Sequence, residues 1–196
     1  MNTAAHLIFG AAVFARSGQP RVTGAAIFGA LLPDLSLFLM AGWSLFVMAI
    51  PAERVFDELY YSDAWQSVFA VDNSIPLWGC ALALGLWRRW PVLLAFAGAG
   101  LLHLAFDFAL HHDDARAHFW PLSTWVFRSP ISYWDRDYFG NIVGPVEIAV
   151  SLGLCVVLWR RFTSWQGRAL VVLAAVAEAA PGILLVLMFR GVMPHN

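Results

Sequence analysis

Residues 103–123, HLAFDFALHHDDARAHFWPLS, carry four of the six histidines of the chain and three of its nine aspartates. Imidazole nitrogens and carboxylate oxygens at close quarters do two kinds of chemistry: they ligate a divalent cation, or they pass a proton among themselves. His103 and Asp107 are four residues apart and project from one face of a helix, and His111 extends that face if the helix persists for another turn. The HxxxD spacing offers one imidazole and one carboxylate to a common ion, or lets the aspartate fix the histidine tautomer. A third option is a pair that satisfies only itself.

Depth adds further groups. At about 1.5 Å per residue, His103 lies roughly 10 Å below the outer end of its helix, and Asp34, His6 and Glu147 fall near the same level. The candidate metal ligands are therefore His6, Asp34, His103, Asp107 and, from the loop above them, His112. Asp113 and Glu147 are spare carboxylates for general-base work. Nitrogen and oxygen donors of this kind suit zinc or manganese, with iron also possible by ligand type. Such an ion acidifies a water toward a pKa of ~7 for attack on a phosphoryl or acyl centre, which is metal-assisted hydrolysis. The same donors also serve a non-catalytic protein that binds or moves a metal ion or a metal-containing cofactor. Simpler roles stand beside these: Asp34 as the cap of a helix that follows Pro33, Glu147 and Glu178 as hydrogen-bonding glue between helices, and HHDD as a solvated loop. Glu178 reads as lying deeper than the site, and His195 at the terminus is set aside.

The elements that position these groups are apolar helices. Hydrophobic residues make up 60% of the chain and mean hydropathy is +0.67, well above a soluble domain. The chain reads as all-α, a polytopic helical membrane protein with about five to six apolar helices in one domain over 1–196. The apolar stretches are 3–15, 22–50, 74–87, 91–110 and 141–159, with a sixth at 168–189. Pro33 is expected to kink or divide the second. Twelve arginines against thirteen acids, with no lysine, give no basic patch for nucleic acid.

Arginines at 16, 21, 88, 89, 160, 161 and 168 mark alternate short connections as cytoplasmic, and the acidic connections 51–73 and 111–140 as outward-facing. Tyrosines and tryptophans crowd the outer connections as an interfacial belt. The expected setting is thus a bacterial inner membrane, with the site on the periplasmic side and the lipid bilayer as partner. A site at headgroup level suggests a lipid or lipid-linked phosphate as substrate. MNTAAHLIFGAAVF lacks a cationic start, so the N-terminus is expected to be retained. Cys80 and Cys155 make no ligand spacing and read as small buried hydrophobes.

The order TAAH, GALLPDL, VDNS, HLAFD and FWPLS over roughly residues 1–125 resembles the LexA-regulated, membrane-bound metal-dependent hydrolase family, also called YdjM-like. The resemblance implies a small helical membrane hydrolase in which His6, Asp34, His103 and Asp107 ligate metal. Two positions depart from the family pattern. Ser36 stands where a second acid follows the proline-aspartate step, and Asn73, with Asp72 beside it, stands where a histidine precedes the serine. Similar sequences with HHDD, HFWPLS and SYWDR carry a cobalamin-biosynthesis label, for which the chain shows neither a nucleotide-binding loop nor an amidotransferase nucleophile.

Overall fold

The computed structural model describes residues 1–189, with side chains described to Ala180. His195 lies outside the described residues. The described chain is mainly helical, with no β-strand among the described residues. Helix α1 is Thr3–Phe14, α2 Pro20–Gly42, α3 the short turn Ala52–Arg54, α4 Asp63–Asp72, α5 Ile75–Trp87, α6 Pro91–Leu110, α7 Gly140–Arg161 and α8 Trp165–Phe189. Local chemistry sets several starts. Asn2 caps α1 by accepting from Ala5 N (2.9 Å), Ser74 caps α5 by accepting from Leu77 N (3.2 Å), and Pro20 and Pro91 open α2 and α6, where a missing N–H costs nothing.

Among the described residues, four helical stretches are long and apolar enough to cross a membrane: Pro20–Val47, Asp63–Trp87, Pro91–Leu110 and Gly140–Arg161. This corrects the expected five to six. Helix α1 has 12 residues, a rise of roughly 18 Å against a hydrocarbon core of about 30 Å, and is too short to span alone. The connection expected at 51–73 is also corrected, because α4 occupies its second half and joins α5 in one spanning stretch, broken only at Asn73–Ser74. Helix α2 runs through Pro33 without dividing, so Asp34 is not a helix cap. Cys155 is buried as expected, whereas Cys80 is exposed on α5.

Small residues let the helices approach closely, the usual device where lipid removes the hydrophobic drive between helices. At Gly29 of α2 an added Cβ would sit 2.1 Å from the carbonyl oxygen of Phe96 on α6. Gly10 of α1 meets Ala30 in the same way, and Ala26, Ala30, Ala95 and Ala99 form a nearly closed core between α1, α2 and α6. The up-and-down order puts the connections 15–19, 88–90 and 162–164 at one end, which carries the arginine-rich sequence. Arg161 there caps α1, donating to the carbonyls of Ala11 (3.3 Å), Ala12 (2.7 Å) and Ala15 (3.1 Å).

The opposite end is closed by the segment 111–139, which folds down onto the break between α4 and α5. Ile75 N donates to the carbonyl of His118 (2.8 Å), and Ser74 Oγ donates to the carbonyl of Trp120. His118 and Arg116 are buried as a result.

Candidate metal centre

Helices α1 and α6 bring His6, His103 and Asp107 together, with one ligand atom from each lying within 4.8 Å of the others. Their side chains are 1%, 0% and 7% exposed. His6 Nε2 meets Asp107 Oδ1 at 2.8 Å, and His103 Nε2 lies 3.0 Å from Asp107 Oδ2. The two imidazoles stack nearly parallel, with centroids 3.5 Å apart and planes 8° apart.

His103 is oriented by α2. Its Nδ1–H donates to the carbonyl of Ala30 at 2.7 Å, three residues before Pro33. With Nδ1 so engaged, Nε2 faces the carboxylates of Asp107 and, at 3.8 Å, Asp34. This is the arrangement by which an outer hydrogen bond fixes the tautomer of a ligating histidine.

Asp34 stands at the edge of this group. Its Oδ2 accepts from Thr3 Oγ1 (2.6 Å), and its Oδ1 lies 3.6 Å from Arg116 Nη1. Arg116 also donates to the carbonyl of Pro33 (3.3 Å) and to Asn73 Oδ1 (3.4 Å), while its guanidinium lies over the Phe69 ring. Asn73 Nδ2 in turn donates to the carbonyls of Phe69 (2.9 Å) and Pro33 (3.2 Å). Asn73, where the family resemblance expects a ligand, therefore works as a bracket for the α4–α5 break.

The imidazole that meets Asp107 from the end of α6 is His111, whereas His112, expected among the ligands, points away from the group. Helix α6 persists to Leu110 and its C-cap is His111, so the 103/107/111 face continues. His111 Nε2 lies 3.0 Å from Asp107 Oδ1 and 2.9 Å from the Met1 amine, and its Nδ1 lies 2.9 Å from Asp114 Oδ2. Burial opposes the His111 cation, but the carboxylates of Asp107 and Asp114 overcome it and raise its pKa. Burial pushes the Asp114 carboxyl up, and the hydrogen bond and charge of His111 more than reverse this, so its pKa is lowered.

His112 is turned aside, with Nδ1 against the carbonyl of Ser129 (2.6 Å) and its ring stacked on Tyr138. Asp113, half-exposed, is 3.7 Å from His112 Nε2. Among the described residues, neither makes a hydrogen bond or ion pair with His6, His103 or Asp107. Glu147 is buried on α7 and accepts from Asn2 N at 2.9 Å, beside the group rather than in it. Glu178, expected deeper than the site, is fully buried beside Ser151 and Asn2, the residue whose N–H also meets Glu147.

The donor set fits a divalent cation. Two neutral imidazoles and one carboxylate are ordinary ligands for zinc or manganese. His103 Nε2 and His6 Nδ1 are buried nitrogens without an aligned hydrogen-bond partner, a costly state that a cation at Nε2 relieves for His103. Imidazole lone pairs lie in the ring plane, so an ion held by both rings requires them to tilt out of their parallel stack. The three side chains with signals in the sequence were the i, i+4 face of α6 and the early histidine of α1. The roles of Asp114, Arg116 and the Ala30 carbonyl carried no such signal. No protein-family model, no curated protein and no solved structure matches the chain.

Proposed function

We propose that the protein is a multi-pass, membrane-embedded metal-dependent hydrolase of the bacterial inner membrane, with its site near the outer face. The reading rests on one observation: His6, His103 and Asp107 place three ligand atoms within 4.8 Å of one another in a nearly dry setting. A bound zinc or manganese ion supplies Lewis acidity and an acidified water for attack on an ester or phosphoester.

The chain's own residues do the rest. The Ala30 carbonyl keeps the His103 proton on Nδ1 and its Nε2 free for the ion. Arg116 and Thr3 hold Asp34 at the rim, 3.8 Å from His103, where its carboxylate orients the groups entering the site. His111, clamped between Asp107 and Asp114, is placed to hold a proton at Nδ1 and pass it toward the loop through Asp114. This pair takes the proton-transfer role that sequence reasoning gave to Asp113 and Glu147.

A second reading, metal binding or transport without turnover, is favoured by the enclosure of the three ligands. Metal content of the purified protein, measured by mass spectrometry for wild type and for the His103→Ala, Asp107→Ala double variant, tests both. About one ion per chain that disappears in the variant supports the centre, and turnover of ester or phosphoester substrates then separates the two readings. Absence of metal after reconstitution with zinc and manganese refutes both.

A further inference from the structure

An open groove of about 580 Å³ lies between the end of α7 and the start of α8, lined by Trp159 and Thr163 on one side and by Trp165, Arg168, Val172 and Leu173 on the other. Arg168 stands three residues into α8, and its guanidinium lies over the Trp159 ring, 4.8 Å from the centroid. Its Nε is buried there without a hydrogen-bond partner. A buried charged donor without an acceptor is costly, so the groove calls for an anion.

The local sequence does not supply one. No Asp or Glu occurs between Glu147 and Glu178, and Arg168 makes no ion pair among the described residues. Arg161 is already engaged by the carbonyls at the end of α1, and Arg160 beside it is exposed. The stretch is therefore cationic with no internal counter-charge.

Two features place the groove at headgroup depth. Trp159 lies two residues before the end of α7, which is long and apolar enough to cross a membrane, and Arg168 lies within about 5 Å of the start of α8. Tryptophan at such a level is characteristic of the interface between lipid and water. Val172 and Val176 continue the Arg168 face of α8 at four-residue steps, and both are exposed, as is Leu173 between them. A cation at the interface with an apolar face running inward from it matches the layout of a phospholipid.

We propose that this groove seats one anionic phospholipid of the leaflet at the arginine-rich end, with its phosphate held by Arg168 and the Thr163 hydroxyl and one acyl chain lying along Val172 and Leu173. The uncompensated arginines favour an anionic headgroup over a zwitterionic one. The seat lies at the opposite end of the helices from the loop that covers the candidate metal centre, and it does not depend on the hydrolase reading.

The test uses the full chain in detergent, incubated with phosphatidylglycerol or with phosphatidylcholine of the same acyl composition, and counts retained lipid by native mass spectrometry. Expected is about one phosphatidylglycerol per chain, retained roughly tenfold better than phosphatidylcholine, and Arg168→Gln should lower that retention by about tenfold, the scale of one charge-assisted hydrogen bond. Arg88, at the same end, also lies beside a tryptophan, 5.7 Å from the Trp87 centroid, but does not line the groove. Arg88→Gln should therefore change retention by less than about twofold. Val172→Trp fills the groove with every charge intact and should lower retention as Arg168→Gln does. Phosphatidylglycerol held no better than phosphatidylcholine by wild type overturns the proposal, whether or not the variants fold. Equal losses in Arg88→Gln and Arg168→Gln overturn it by assigning the retention to diffuse charge. Loss with Arg168→Gln but none with Val172→Trp overturns the lipid seat in favour of a bare phosphate site.

Discussion

Replacing Gly29 by alanine puts a methyl group 2.1 Å from the Phe96 carbonyl oxygen, 2.8 Å from its carbon and 3.0 Å from Phe96 Cα. All three atoms are backbone, so no rotamer change makes room. Ordinary contact begins at 3.4 Å, so α2 and α6 must part by about 1.3 Å at this level. The adjacent residue is Ala30, whose carbonyl accepts from His103 Nδ1 at 2.7 Å, and the same displacement stretches that bond beyond hydrogen-bonding reach. Overpacking costs ~1–3 kcal/mol and an unsatisfied buried imidazole about as much again. Alanine's better helix propensity returns about 1 kcal/mol, leaving a net loss of about 1–5 kcal/mol. Loss of the bond that orients His103 should also weaken metal binding by about 10–100-fold.

Gly24 and Gly42 of the same helix have nothing within 4 Å of an added Cβ, so Gly24→Ala and Gly42→Ala are matched controls expected to be neutral or slightly stabilising. Denaturant unfolding in detergent, with zinc titration of each variant, gives both quantities. Gly29→Ala as stable as Gly24→Ala, and with equal zinc affinity, refutes the claim that close approach of α2 and α6 builds the site.

Three further outcomes are expected. Arg116→Met strands the Asp34 carboxylate together with the Pro33 and Asn73 acceptors in a buried setting and should cost about 3–5 kcal/mol in denaturant unfolding. A loss under 1 kcal/mol contradicts the bracket described above. Arg161→Met removes three carbonyl contacts at the end of α1 and should cost about 1–2 kcal/mol, read as faster amide hydrogen exchange over residues 5–14 and unchanged exchange in α5. His118 is held neutral by burial, so its pKa is lowered in the folded protein. Its contribution is complete above the unfolded value of about 6.5 and is lost as pH falls below that, at up to about 1.4 kcal/mol per pH unit. His118→Gln should flatten the stability profile just below about pH 6.5, and an unchanged slope there assigns the dependence to another group.

Much of this architecture can be read along the chain because it is local. Runs of apolar residues between arginine pairs mark α6 and α7 within a residue or two, and the four-residue period on α6 groups His103, Asp107 and His111 before any fold is known. Errors arose where tertiary contact overrode local signals. Pro33 ordinarily breaks a helix, yet α2 runs through it, and Asn73, Arg116 and His103 engage the carbonyls of Pro33 and Ala30. Segment 63–72 is polar enough to pass for a loop, but it packs on α2 as a helix.

An all-helical, membrane-compatible chain with a histidine and a carboxylate on one face of α6 is legible from composition and a helical repeat alone. Tertiary packing alone settles that Asp34 is held by Arg116 and that Glu147 and Glu178 meet the same Asn2. Those choices depend on how far one helix slides along another, and that is set by the close approaches at Gly10, Gly29 and Ala30, which have no periodic signature in the sequence.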